Sequence, residues 1–549
     1  MIEFKEVVVV KDGQVLNSPE FLNVKADSKK NQLKLRIEAL KTLSIRELYI
    51  EFSLSQTPSE YRSSSYEWIP FSEEKIVLSS YNAKILKWSD GSKSVASSNL
   101  GVWEIYPKTS SMKWFLLHPD LYPSFTYDKS DHRIWHHEYD LKSGQEFHLE
   151  VLNTSNEIDE FARTPIGFVP TVCFTDHCDF DTPKLLVKQR KIFKEAGVRT
   201  SKGFFLYDQS DRPFLASAEN DGILDELHLW EKDGHELVFH AFSKSEGPDS
   251  PNHFKSFETP KNFNPVETYI DHGFLSYNST RQERTQLADW FGHLSNKGIG
   301  QIWNYVDAFE ATAICNNQLS AFDSSIAAIW ASKDFHEEKG LNEDSSRLFK
   351  AWLSFGTTED LDFAFKHLNT SIQKFKKDKV GALPGLSKNV LKTIRHSINS
   401  EVISQNLWKR SKPFHFGRFT PLIFKSPHQD DTEVYTFQTA SVKNFETSLS
   451  EYSLEKLSNE KGVLIAHTYF AYTSPNHTGR LFLTNEGKEN KVAVDNFNRL
   501  GRLVSSQAVW NPTISEMTDF YKRMEKVHYK LEGDQVSIKN APGPTRKIS

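Results

Sequence analysis

The chain of 549 residues contains only three cysteines, Cys173, Cys178 and Cys315. An odd, small number without zinc-finger spacing excludes a disulfide-built scaffold and suits a reducing compartment. No run of about 18 apolar residues occurs, so no membrane span is expected. The opening MIEFKEVVVVKDGQ lacks a basic segment leading into an apolar one and a small-residue cleavage site, so a cytoplasmic location is expected. Charge of one sign is not in excess either: 67 basic and 72 acidic residues leave a net −5, which gives nucleic acid no electrostatic reason to bind. Glycine-rich phosphate loops and a serine nucleophile elbow are absent, which sets aside nucleotide and serine-hydrolase chemistry. Internal repeats and low-complexity tracts are absent too.

What is present is an ordinary globular composition, 38% hydrophobic and 25% charged, on a chain long enough for two or three domains. Aromatic residues reach 13%, with 40 Phe and 12 Trp. Such side chains fill cores first, and their faces also stack on sugar rings.

Residues 1–160 read as β-rich. EVVVV, LKLRIEAL, RELYIEFSL, GVWEIYP and EFHLEVLN are short, partly alternating runs of β-branched and aromatic residues, separated by turn clusters such as KDGQ and KSGQ. The pattern predicts a β-sandwich, serving as a sugar-binding, structural or interaction module. From about 165 the rhythm becomes strand then helix. IGFVPTVCF is a buried strand. Thr182 and Pro183 open a helix striped by Leu185, Leu186, Ile192, Phe193 and Ala196, which ends before Gly197. The strands RTSKGFFLY, HELVFHAFS, PVETYIDHG, IGQIWNYVD, FTPLIFK and GVLIAHTYF follow, with helices between them. That order implies a parallel sheet with right-handed crossovers. Residues from about 315 to 405 break the rhythm and read as a helical insertion. Thr513 and Glu516 form a capping box, YKLEGDQVSIKN a last hairpin, and 536–549 a loose tail.

Between the first strand and its helix lies FTDHCDFDT, with Asp176, His177, Asp179 and Asp181 within six positions. A turn at the carboxyl end of a barrel strand is where such folds carry chemistry. By the same rule His240, His272, Asp307 and His467 stand at strand ends. Asp181 is expected to cap the helix that follows.

FTDHCDFDT, its helix, FKEAGVRTSKGFFL and KDGHELVFHAFS together resemble the polysaccharide deacetylase family, also called NodB-like or carbohydrate esterase family 4. GVLIAHTYF resembles that family's late histidine motif. The likeness spans roughly 165–535 and implies a distorted (β/α)7 barrel, following the N-terminal sandwich and carrying the helical insertion. It implies Asp179 and His240 as ligands of a divalent metal, most simply zinc. Asp176 is then the general base and His467 the group near the departing alcohol or amine, although His177 stands where one form of the motif has its base. The family's second histidine falls on Lys244, and its Arg-Pro-Pro motif has no counterpart. The third ligand would therefore be His272 first, His177 second. Asn304 and Asp307 are candidates for binding substrate hydroxyls. The implied activity is metal-dependent deacetylation of a polysaccharide or oligosaccharide, an exopolysaccharide among the candidates. The alternatives are a glycoside hydrolase using Asp176 with Asp271 or Asp307, and an inactive member that binds glycan or a partner.

Overall fold

The computed structural model describes residues 2–549 apart from 74, 130–132, 209–214, 221, 274, 312–315, 321–367, most of 369–380, 400–418, 420, 427–428, 430–431, 443 and 474–479. Two antiparallel sheets form the N-terminal domain, one of six strands and one of seven. Alternation explains their stacking. In Gln32–Ala39, Leu33, Leu35, Ile37 and Ala39 turn inward, while the residues between them face outward or are half-buried. From the opposite sheet Val7, Val9, Ile50, Phe52, Trp103 and Trp114 meet them, closing a sandwich core.

The second domain is a closed barrel of seven parallel strands. They are β1 (Thr171–Asp176), β2 (Ser201–Phe204), β3 (Glu236–His240), β4 (Thr268–Ile270), β5 (Gln301–Glu310), β6 (Tyr435–Ser441) and β7 (Val463–Thr468). Neighbours pair in parallel from β1 to β5; β5 pairs with β6, β6 with β7 and β7 with β1, so the sheet closes on itself. The β6–β7 pairing is short, Ala440 with Ala466 and Ser441 with His467. Below it, side chains of the 317–318 segment supply bonds that a longer ladder would make: Asn317 Oδ1 accepts from Val463 N at 3.0 Å, and Gln318 Oε1 from Ile465 N at 2.6 Å.

Each strand's two faces are sharply divided. Val172, Phe174, Leu237, Phe239, Tyr269, Ile302, Leu464 and Ala466 face outward against helices α1 (Pro183–Ala196), α2 (Ile223–Lys232), α3 (Leu287–Asn296) and α4 (Lys491–Ser505). Cys173, Val238, Ile270, Trp303, Phe437 and Ile465 face the barrel axis. Helix α5 (Ile514–Met524) plugs the amino-terminal end with Ile514, Met517, Phe520, Tyr521 and Met524. Its first turn is fixed by Glu236 at the start of β3, whose carboxylate accepts from the Ile514 amide at 3.0 Å and the Ser515 amide at 3.3 Å. A carboxylate is favoured at a helix amino terminus by the free N–H groups and the dipole there.

Several expectations are met locally. Thr182 accepts from the Leu185 amide as the cap of α1, Gly197 ends α1 with a positive φ, and Thr513 and Glu516 make the capping box of α5. Others are corrected. FTPLIFK is not a barrel strand: Ile423–Lys425 pairs antiparallel with β6, which is itself the barrel member. The tail is not loose, because Thr545–Ile548 pairs with Ile158–Phe161 and Arg546 reaches the buried Glu160 at 2.6 Å. The expected insertion at 315–405 lies largely outside the described residues, which show a turn at Gln318–Ser320 and a helix at Leu383–Asn399. No helix among the described residues is long and apolar enough to cross a membrane.

Candidate active site at the carboxyl end of the barrel

Period-two alternation decides which residues of the acidic turn meet. Cys173 faces the axis, so Thr175 and His177 follow it inward, whereas Asp176 follows Phe174 outward. The same parity carries His240 inward with Val238, His272 with Ile270, and His467 with Ile465. The result is a histidine cluster over the barrel mouth. The ring of His177 lies 4.0 Å from His467, 4.8 Å from His240 and 4.6 Å from Trp303, centroid to centroid. His240 is 5.0 Å from His272 and stacked on Phe205.

Asp179 joins the cluster. His177, Asp179 and His240 each offer one ligand atom, all within 4.8 Å of one another, and all three residues are buried. Nε2 of His177, His240 and His467 has no hydrogen-bond partner among the described residues. Orphaned buried nitrogens of this kind need a partner. Two imidazoles and a carboxylate make a donor set suited to zinc or a similar divalent ion. Burial pushes His177 and His240 well below the usual imidazole pKa, helped by the neighbouring histidines, so both are in the neutral, ligating form. Burial alone would raise Asp179; His272, by attraction and its hydrogen bond, and the Lys244 ammonium outweigh it and hold the carboxyl well below its ordinary range.

The two oxygens of Asp179 divide the work. Oδ1 is bonded by His272 Nε2 at 2.7 Å and by the Lys244 ammonium, while Oδ2 faces His240 Nδ1 at 3.7 Å. His272, the first choice for third ligand, thus anchors the carboxylate, and His177 is the residue gathered with Asp179 and His240. Lys244, where the resemblance broke down, takes the anchoring role as well.

Asp176 and Asp181 lie elsewhere. Both face outward onto Lys202 of β2, which donates to Asp176, to Asp181 at 2.5 Å and to Gln189 Oε1 at 3.0 Å. Gln189 in turn donates to Asp181 at 2.8 Å, and the Phe470 amide to Asp176 at 2.9 Å. Burial, reinforced by Asp181, raises Asp176 to about 7 against the pull of Lys202. Asp176 is therefore a clamp on the turn, and the geometry gives it no access to the pocket as a base. Asp181 is not the cap of α1, a role Thr182 holds. Asp271 also turns outward, where Ser279 Oγ and the Gly273 amide donate to it at 2.6 Å, closing the loop behind His272.

His467 is held by Asp307, whose two oxygens lie 2.9 and 3.0 Å from Nδ1. Thr439 Oγ1 donates to Asp307 at 2.7 Å, and Trp303 Nε1 donates to Thr439 at 2.9 Å. This chain fixes the imidazole with Nε2 aimed at the cluster. Asp307 is the orienting partner of His467, a different job from holding a sugar hydroxyl. The Asn304 side chain lies outside the described residues. Backbone strain marks the same rim: Ala241 and Phe242 after His240, and Tyr305 after Trp303, have positive φ without being glycine. Gly273, also at positive φ, has the Tyr305 ring against it, where an added Cβ would come within 2.7 Å of the ring.

Sequence reasoning missed Lys202, Gln189, Trp303 and Tyr469. The one signal for Lys202 was a charge inside the otherwise apolar strand SKGFFLY; the aromatics carried none.

No protein-family profile and no curated protein matches the chain. Among solved structures it is similar to an α-galactosidase from Thermus thermophilus in complex with stachyose, at 10% identity and a TM-score of 0.21, covering 51% of this chain and 66% of that one. The same enzyme with p-nitrophenyl α-D-galactopyranoside aligns over 96% and 98% at 8% identity and a TM-score of 0.24. A dextranase from Flavobacterium johnsoniae gives 8% identity and 0.19 over 55% and 41%. Likeness that loose carries no weight for the chemistry of this chain.

Proposed function

We propose that the chain is a carbohydrate-directed hydrolase that removes acyl groups, acetyl first among them, with a divalent metal held by His177, Asp179 and His240. The observation that carries the reading is that three neutral or anionic donors converge in a buried cluster beside a histidine already oriented by a carboxylate. A bound divalent ion would polarise the acyl carbonyl and lower the pKa of water toward ~7. His467 is the acid–base residue. Its Nε2 takes a proton from water and returns one to the departing oxygen or nitrogen, while Asp307 fixes the tautomer and steadies the cation formed between those steps. His272 and Lys244 keep the Asp179 carboxylate ionised and in place. Trp303 and Tyr469 pack around His177 and keep bulk water from the imidazoles.

A glycosidase is the competing reading, and among the described residues Asp179 and Asp307 are the carboxylates beside the histidine cluster that would have to serve it. Asp176 and Asp271 are turned to the helices. One experiment separates the two. Metal content is measured in the purified protein and in an Asp179→Ala/His240→Ala variant, and acetylated oligosaccharides are assayed both for acetate and for new reducing ends. About one equivalent of metal lost in the variant, with metal-dependent acetate release, supports the proposal. New reducing ends without acetate, from a protein with no metal, would overturn it.

A further inference from the structure

Cys178 is the one residue of the turn between His177 and Asp179, and the chemistry proposed above leaves it unused. It is 1% exposed, packs with Phe205 and Leu215, and its Sγ lies 3.5 Å from Nδ1 of His240. His240 is fully buried, with the Phe205 ring stacked on it at 5.2 Å, and its other nitrogen, Nε2, has no hydrogen-bond partner among the described residues. A neutral imidazole carries its proton on one nitrogen and a lone pair on the other, so the contact made by Nδ1 decides what Nε2 can do. If the thiol donated to Nδ1, Nε2 would hold the proton and could not ligate. If the sulfur accepts, the lone pair is on Nε2.

We propose that Cys178 is a positioning residue, whose sulfur accepts the Nδ1 proton of His240 and holds the ring in the tautomer with its lone pair on Nε2. Sulfur is a weak donor and a weak acceptor, so the surroundings set the direction. Asp179 Oδ2 stands 3.7 Å from the same Nδ1, and an anionic oxygen at that distance attracts an N–H and repels a lone pair. A metal-ligating histidine ordinarily gives its second N–H to a carboxylate, a carbonyl or water. Among the described residues the hydrogen bond at Nδ1 is to this sulfur, in a setting whose other members, Phe205 and Leu215, are apolar. A cysteine in such surroundings stays a thiol and is inert, which suits a support better than a ligand. His177, Cys178 and Asp179 then act as a unit: the outer two supply donors to the cluster, and the middle one fixes the tautomer of the third donor, His240.

The ligand role of His240 rests on the metal centre proposed above; the direction of the Cys178 bond does not, and the test reads them separately. Infrared difference spectra of the S–H stretch, full chain minus its Cys178→Ala variant and both without metal, isolate this thiol from Cys173 and Cys315. The band of a non-donating thiol is expected. A band shifted strongly to low frequency, the mark of S–H donating to nitrogen, would overturn the proposal. Zinc affinity is then measured by competition with a chromophoric chelator. Cys178→Ala should bind zinc about 10- to 100-fold more weakly, and Cys178→Ser, which keeps an acceptor, should recover most of that loss. Equal affinity in wild type and Cys178→Ala would overturn the positioning role. A sulfur-to-metal charge-transfer band in the cobalt-loaded wild type, absent from Cys178→Ala, would make Cys178 a ligand and overturn it too. Zinc bound as expected but without acetate release would overturn the hydrolase reading and leave the role of Cys178 intact. No zinc bound by any form would overturn the metal centre itself, and the infrared result would still decide the tautomer.

Discussion

Lys202→Met is the perturbation that most directly tests how the acidic turn is held. Lys202, Asp176 and Asp181 are each at most 2% exposed, and one ammonium serves two carboxylates. Two unit charges at such distances attract by several kcal/mol even at an effective dielectric of about 20, and that attraction offsets the cost of taking all three groups from water. With the ammonium gone, both carboxylates remain buried. Asp176 already sits near 7, so it takes up a proton at neutral pH at little cost. Asp181 must then either stay ionised in an apolar layer or protonate against its ordinary pKa. Removing one partner of a buried ion pair costs about 3–5 kcal/mol, and that is the expected loss in barrel stability at pH 7. The loss should shrink toward pH 5. Burial already raises Asp176 and Asp181 above their unfolded values in the wild type; without the Lys202 ammonium both rise further, so the folded variant binds more protons than the folded wild type in that window and gains more stability as pH falls. Urea unfolding followed by tryptophan fluorescence at the two pH values measures both quantities. A loss below about 1 kcal/mol, or one that grows on acidification, would refute the clamp.

Lys84 makes the opposite case. It is 1% exposed, its ammonium donates to one carbonyl, that of Asn99 at 2.9 Å, and burial lowers it to about 7. An unfolded lysine stays protonated to about 10.4, so the unfolded chain binds more protons between the two values and wild-type stability rises with pH across that window. Lys84→Met should therefore stabilise the sandwich by about 2 kcal/mol at pH 7, after allowance for the orphaned carbonyl, with the gap closing toward pH 9.5 in urea melts. Gly501 in α4 lies so close to α1 that an added Cβ would stand 1.6 Å from the Ala196 carbonyl oxygen; Gly501→Ala should cost about 1–3 kcal/mol in thermal or chemical unfolding. Asp307→Asn should lower turnover about 10- to 100-fold in acetate release with KM little changed, since it acts through the orientation of His467. Metal content equal to wild type in that variant checks that the ligand set is untouched.

The elements of the barrel were legible because local signals agreed. The stripe of α1, its Thr-Pro start and Gly197 stop, and the capping box of α5 are all short-range chemistry that a chain cannot easily contradict. The apolar runs ending in His240 and His467 were also legible, and with them the expectation that chemistry gathers at strand ends. FTPLIFK was read as a barrel strand because a hairpin partner and a barrel neighbour leave the same apolar pattern. The last residues read as loose because the strand they pair with, Ile158–Phe161, is nearly 400 positions away.

Sequence by itself determined that a β-rich stretch precedes a parallel strand–helix order, and that Asp179, His240 and His467 would stand at the carboxyl end of the strands. Which of four neighbouring residues in FTDHCDFDT enter the pocket was decided only in three dimensions. One strand register sends His177 to the axis and Asp176 to the helices, and a lysine on the adjacent strand then claims Asp176 and Asp181 together. Tertiary structure likewise turned Asp307 into the partner of His467 and His272 into the anchor of Asp179. A side chain's type is written in the sequence; its neighbours are set by closing the sheet, which brings strands 60 to 290 positions apart within hydrogen-bond reach.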